Sequence, residues 1–151
     1  MDNTPELFDW TVRNAVYAAI LERSVPPSVD ETAVALHVSA DDVRAAYERL
    51  NDRHALFLTP GSHDLRMAHP FSGVPTAFRV ESGDRSYWAN CAWDALGIPA
   101  ALHADARIEA PIGNDTESIR FAIKAGRVKD WDGVVHFPLP FGRWYDDLIA
   151  T

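Results

Sequence analysis

The chain has 151 residues, a formal net charge of -8 and a single cysteine, which predicts one compact domain or two small subdomains that share a core. Apolar residues make up 47% of the sequence and include five Trp and seven Phe, so global disorder is excluded. No run approaches the ~20 apolar residues of a membrane span, and the acidic start Met1–Glu6 differs from a signal peptide, so contact with a membrane is not expected.

Helix-start signals divide the first part of the chain into three predicted helices. They cover residues 5–23, 29–36 and 40–53; the capping box Ser28–Glu31 opens the second, and Ser39 opens the third. Two short extended runs, 56–58 and 65–67, then flank the turn residues 59–62. Three helices followed by a hairpin is the order of a winged helix, so we predict a winged-helix-like subdomain over residues 1–70.

The second part of the chain, residues 71–151, has the pattern of a small mixed sheet with one helix against it. The short helix is predicted over Asn90–Leu96, ending at Gly97-Ile98-Pro99. The predicted strands are Ala77–Val80, Arg85–Trp88, Ala106–Ile108, Ser118–Ile123 and Gly133–Phe137. The predicted fold class is therefore α+β.

Nucleic acid is not an expected partner, although winged helices commonly bind DNA. The third predicted helix carries one more acidic than basic residue, and the whole chain is acidic, whereas phosphate contacts favour cationic side chains. We expect the helical part to pack on the sheet and cover a site. With one cysteine and no internal disulfide, the expected compartment is the reducing cytoplasm.

The most reactive candidate residues lie in the short helix. Asn90 is a good N-cap, which would put Cys91 in the first helical turn, where backbone N–H groups stabilise a thiolate. Asp94 follows three residues later on the same face, and Trp88 and Trp93 are placed to wall the pair from water. A thiol beside a carboxylate suits soft-metal binding or nucleophilic attack with proton transfer. The alternative is a buried structural cysteine and a surface aspartate.

His136 is a further pocket candidate, because the predicted strand 133–137 is able to direct its side chain into a cavity. The alternative is a satisfied, partly buried histidine with a structural role. The sequence contains no nucleophile elbow, phosphate loop or dinucleotide fingerprint.

The segments Tyr87–Ala100 (YWANCAWDALGIPA) and Ala104–Ile108 (ADARI) resemble the organomercurial (alkylmercury) lyase family, in which C-A-x-D precedes an apolar F/I-P-A turn and an A-R-I/V strand. The resemblance implies protonolysis of carbon–mercury bonds, with Cys91 as the first thiol and Asp94 as the aspartate that carries the proton. Mercury(II) would be substrate and product, held by Cys91 and Asp94, and no further cofactor is implied. The implied partner is a small organomercurial.

The family's second catalytic thiol has no counterpart in this sequence. Val134–Pro140 matches the strand before it and Arg143–Thr151 the acidic stretch, so the thiol and the last part of the family's core would fall at or beyond Thr151. We therefore expect a divergent or truncated lyase-like protein that binds organomercury and turns over slowly or not at all. The alternative is a non-catalytic module, a thiol-based metal or small-ligand binder or sensor.

Overall fold

The structure is a computed structural model that describes residues 4–113, 117–137 and 139–144. Its helices are α1 (Thr4–Arg23), α2 (Val29–Leu36), α3 (Ala40–Asp52) and α4 (Ala92–Leu102), with a short 3-10 turn at Phe141–Arg143. Its strands are β1 (Phe57–Leu58), β2 (Leu65–Ala68), β3 (Phe71–Ser72), β4 (Phe78–Ser82), β5 (Arg85–Ala89), β6 (Ala106–Pro111), β7 (Ser118–Lys124) and β8 (Arg127–Lys129). The α+β class is confirmed. No helix in these ranges is long and apolar enough to cross a membrane.

Side-chain caps start the second and third helices, as predicted. The Ser28 side chain accepts a hydrogen bond from the Glu31 N–H, and Glu31 accepts one from the Ser28 N–H, which completes a capping box. Ser39 caps α3 by accepting from the Asp42 N–H at 3.1 Å. Along α3, Val43, Ala46 and Leu50 recur at helical spacing and are all buried.

An ion pair around a buried carboxylate joins α1 to α3. The Asp9 side chain is 0% exposed and accepts hydrogen bonds from both Nε and Nη2 of Arg49, the shorter at 2.6 Å. Arg53 lies 3.7 Å from the other carboxylate oxygen. The pairing satisfies a charge that would otherwise be costly to bury.

One antiparallel sheet of eight strands runs through the described residues, in the order β1-β2-β3-β5-β4-β6-β7-β8. It is larger than the sequence predicted, and every strand pair is antiparallel rather than mixed. The unpredicted strand β3 pairs with both β2 and β5 and so joins the first hairpin to the rest of the sheet. The division into residues 1–70 and 71–151 stays a prediction.

Alternation along the strands gives the sheet two different faces. Val80, Tyr87 and Ile108 are paired across strands and buried, and α4 packs here with Ala95 and Ile98 in the same core cluster. The opposite face carries charged side chains, including the ion pairs Arg79–Glu81 and Arg120–Glu109.

The predicted bounds of the site helix are wrong. Helix α4 begins at Ala92 rather than Asn90 and continues through Gly97 and Pro99 to Leu102. A Cβ on Gly97 would lie 3.1 Å from the Pro70 side chain, so the glycine allows a close approach. Buried Ile98 and Pro99 keep the helix going, because tertiary packing outweighs the local breaking signal.

The predicted strand at Gly133–Phe137 is also wrong. Residues 131–137 are irregular and exposed, with Val134 89% accessible. The strand that does follow β7 is β8, which pairs with β7 after a turn at Ala125-Gly126. Both residues of that turn have positive φ. Apolar composition alone misled the strand prediction, since no neighbouring strand in the described residues pairs with this segment.

Candidate functional site

Cys91 is the N-cap of α4 rather than a residue of its first turn. Its backbone is extended (φ -148°, ψ -179°), and its side chain makes no capping hydrogen bond. Its carbonyl accepts the first helical bond from the Ala95 N–H at 3.0 Å. The sulfur is therefore placed at the helix start but turned toward Asp94, whose Oδ2 lies 3.5 Å from Sγ. The predicted proximity of thiol and carboxylate is confirmed.

Asp94 is a buried acid in contact with two side chains. It is only 5% exposed. While Oδ2 faces the Cys91 thiol, Oδ1 lies 3.2 Å from Nδ1 of His69. A carboxylate held between two groups in this way is a suitable acceptor and carrier of a proton.

The thiol is not activated in the way the sequence predicted. Burial raises the pKa of Cys91 above its ordinary value, and the neighbouring Asp94 carboxylate adds to the increase. The backbone N–H groups of Asp94 and Trp93 lower the pKa, but by less than burial raises it. The direction of this shift is opposite to the expected stabilisation of a thiolate by the helix start.

His69 is held from the helical part of the chain. The Tyr17 hydroxyl on α1 donates to the His69 carbonyl at 2.7 Å, and Arg13 donates to that hydroxyl at 3.1 Å. The Phe57 ring meets the imidazole edge-on, with centroids 5.3 Å apart. Burial raises the pKa of Tyr17, Arg13 opposes that shift, and the Asp94 carboxylate adds to it. The charge of Asp94 therefore acts on the Tyr17 hydroxyl.

The two tryptophans do not wall the pair. Trp88 is paired with Arg79 across β4 and β5, which places it on the charged face of the sheet, opposite α4. Trp93 is 57% exposed and meets the Phe137 ring at a centroid distance of 6.1 Å. The side chains that do contact the Asp94 carboxylate are those of Cys91 and His69.

A largely apolar cavity of about 530 Å³ lies beside the same helix. Its walls come from α4, the inner face of β4, β6 and β7, and the irregular segment 131–136. Ala92 and His136 line it, whereas Cys91, Asp94, Trp88 and Trp93 do not. Ala92 follows Cys91 directly in the chain, so the cavity and the thiol flank the same helix start.

His69 is the candidate residue that sequence reasoning missed. It precedes Asp94 by 25 residues, so no local spacing connects them, and it lies at the boundary we predicted between subdomains. A histidine directly before a proline was the only local signal. Among the described residues, no three His, Cys, Asp or Glu side chains converge as a metal site.

Comparison with known proteins finds a matching family model and a solved structure with a similar fold. A family model described as alkylmercury lyase matches residues 71–149. No curated protein matches the chain in sequence. A solved structure, the crystal structure of the mercury-bound form of MerB2, is similar with a TM-score of 0.66 at 18% identity. The similarity covers 81% of this chain and 58% of that one, so the chain spans little more than half of that protein.

Proposed function

Because the chain belongs to the alkylmercury lyase family, we propose that it captures organomercurials at Cys91 and protonates their carbon through Asp94. The observation that carries the proposal is the 3.5 Å approach of Cys91 Sγ to Asp94 Oδ2 at the start of α4. A thiol is a natural ligand for a soft metal, and a carboxylate at this distance accepts the proton that the thiol must lose.

The chemistry balances with these two side chains. In the first step, the sulfur of Cys91 bonds to the mercury of a cationic R–Hg group and the thiol proton passes to Asp94. In the second, Asp94 returns that proton to the carbon, the carbon–mercury bond breaks, and the hydrocarbon R–H leaves. Mercury(II) stays on the sulfur and Asp94 is again a carboxylate. The raised pKa of the thiol supports this sequence, because the proton is still present when the substrate arrives.

Release of mercury(II) is the step that this chain supports least. Cys91 is its single cysteine, so no second thiol in these 151 residues is available to take the product. Two external thiols would transfer the metal to themselves, return one proton to Cys91 and release the other. We therefore infer one fast equivalent of hydrocarbon without added thiol, followed by slow turnover or none.

We propose that the organic group of the substrate enters the apolar cavity beside Ala92. The cavity's about 530 Å³ and its lining by Leu96, Ile108 and Phe121 suit a phenyl or short alkyl group. His136 lies in its wall, which keeps that residue as a pocket candidate. Trp93 contacts Phe137, which directly follows this wall segment.

A DNA-binding sensor receives no support from the helical part. The arginines of α3 are engaged with acids of the same protein: Arg44 with Asp41, and Arg49 with Asp9. Few cations remain for phosphate contacts. A mobility-shift assay with duplex DNA at physiological salt should show no selective binding, and sub-micromolar, sequence-selective binding would contradict this.

Anaerobic incubation with phenylmercury tests the proposal. The wild type should bind one equivalent, seen as a mass increase, and release at most one equivalent of benzene without added thiol. Cys91→Ser and wild type blocked with iodoacetamide should do neither. Capture without benzene would reject the lyase activity in favour of a thiol-based binding module. Repeated turnover without external thiol would show that a second thiol is dispensable.

A further inference from the structure

His69 and Cys91 meet opposite oxygens of one buried carboxylate. His69 Nδ1 lies 3.2 Å from Asp94 Oδ1, and Cys91 Sγ lies 3.5 Å from Oδ2. A carboxylate only accepts hydrogen bonds, so both neighbours act as donors, the imidazole through its Nδ1–H. The acid is thereby held at both ends.

His69 is anchored through its backbone and contacted on one side of its ring. Its backbone carbonyl accepts a hydrogen bond from the Tyr17 hydroxyl at 2.7 Å, and its ring lies against Phe57. The side chain of His69 is 43% exposed, whereas that of Asp94 is 7% exposed. The histidine therefore connects a rigid support in α1 to an acid that solvent barely reaches.

We propose that His69 is the positioning residue for Asp94, and that its Nδ1–H holds Oδ1 so that Oδ2 stays directed at the Cys91 sulfur. This inference rests on the proposed function for its catalytic consequence, but its geometric content is independent of activity. The χ2 angle of aspartate has a broad distribution. Without His69, the Asp94 carboxylate is therefore free to turn away from the thiol. Proton transfer depends steeply on that alignment.

The S–H stretching vibration tests the geometry directly, because Cys91 is the chain's only cysteine and gives a single infrared band. In the wild type the band should be shifted to lower frequency by the bond to Asp94. His69→Leu should move it toward the frequency of a free thiol, and His69→Asn, whose amide N–H replaces Nδ1–H, should restore it. His63→Leu is the matched control, since His63 bonds only the exposed Glu48 among the contacts described. An unmoved band in His69→Leu would overturn the proposal.

Single-turnover kinetics test the consequence. His69→Leu should capture phenylmercury within twofold of the wild-type amount but release benzene at least tenfold more slowly, and His69→Asn should recover to within threefold. Equal benzene rates in His69→Leu and wild type would overturn the catalytic role. If the wild type itself releases no benzene, the proposed function fails while the S–H band still decides the role of His69.

A measurement on the wild type covers the case in which His69→Leu does not fold. In protein labelled with ¹⁵N-histidine, one imidazole should be protonated at Nδ1 and should lose that signature in Asp94→Leu, which has no acceptor. A His69 ring protonated only at Nε2 would overturn the proposal.

Discussion

Helices α3 and α4 begin with the same spacing of residue types and use it differently. In α3, Ser39 is the N-cap and Asp42 follows three residues later; the Ser39 hydroxyl donates to Asp42 Oδ2 at 2.6 Å while it accepts from the Asp42 N–H. In α4, Cys91 is the N-cap and Asp94 follows three residues later, with Sγ 3.5 Å from Oδ2. The candidate reactive pair thus shares with the α3 start the residue spacing and the side-chain contact, with sulfur in place of oxygen, but not the capping bond.

The difference lies in what surrounds the two carboxylates. Asp42 is exposed and stabilises the start of its own helix, whereas Asp94 is buried and bonded from outside the helix by His69. The Ser39 hydroxyl caps α3, but Cys91 makes no capping bond. A capping position costs some helix stability when its side chain is used elsewhere, and here that side chain is available to a ligand.

Replacing the aspartate at each helix start should give the largest difference in benzene release between α4 and α3. Asp94→Asn should reduce single-turnover benzene release by roughly 10²–10⁴-fold, because the proton carrier is removed, while phenylmercury capture persists. Asp42→Asn, the matched change in α3, should leave the release rate unchanged. Gas chromatography of benzene measures both. Equal rates in wild type and Asp94→Asn would remove the aspartate from the mechanism.

The ion pair between α1 and α3 should show the next largest effect, on the free energy of unfolding rather than on the reaction rate. Asp9→Asn weakens the buried charge-assisted bonds to Arg49 and should lower the free energy of unfolding by about 1.5–3 kcal/mol. Asp41→Asn is the control, because Asp41 is exposed and pairs with Arg44 at the surface, where such pairs contribute about 0–1 kcal/mol. Urea denaturation measures both. A smaller loss in Asp9→Asn than in Asp41→Asn would contradict the assignment.

Thiols at the two helix starts should also differ in reactivity. Because burial raises the pKa of Cys91, its alkylation by iodoacetamide at pH 7.5 should be slower than that of an ordinary cysteine. A thiol introduced by Ser39→Cys into the Cys91→Ser variant, at the exposed start of α3, should react several-fold faster. Rates followed by mass spectrometry test this. Faster reaction at Cys91 would restore the original expectation of an activated thiolate.

The smallest expected effect concerns the capping box of α2. Hydrogen bonds from the Ser28 N–H and from Arg23 lower the pKa of Glu31 to about 2. A carboxylate with a lowered folded-state pKa stabilises the fold above its unfolded pKa, ~4.3, and this contribution is lost as the pH falls toward 2. Wild type should therefore be slightly more stable than Glu31→Gln at pH 7, and the difference should vanish near pH 2. A pH-independent difference in thermal denaturation would contradict this.

Sequence reasoning succeeded where local signals and packing agree. The Ser28 and Ser39 caps and the inward residues of α3 follow from hydrogen bonding and helical periodicity, which act over a few residues. The Cys91–Asp94 contact was predicted for the same reason, since three residues separate its members. The N-cap of α4 was predicted one residue too early because asparagine is a better N-cap than cysteine. The C-x-x-D spacing at Cys91, which repeats the S-x-x-D of α3, marks the observed start.

What sequence reasoning missed depends on distant contacts. Gly97 and Pro99 are breaking signals, yet the helix continues because Gly97 lies against Pro70 and Ile98 is fully buried. His69 reaches Asp94 only through the fold. The segment 133–137 has the composition of a strand but no strand beside it in the described part of the chain. Each error reflects tertiary structure overriding a local preference.

The short strand β3 links the predicted parts 1–70 and 71–151 and limits where the chain can be divided. Phe71 and Ser72 hydrogen-bond to β2 on one side and to β5 on the other, so a cut beside them strips one flank of the sheet. A fragment beginning at residue 71 would keep Cys91 and Asp94 but present β3 as a bare edge, open to pairing with other chains and hence to aggregation. It would also lack His69 and Tyr17. For protein engineering, the chain is therefore a poor candidate for domain exchange at this junction, even though the family match begins there.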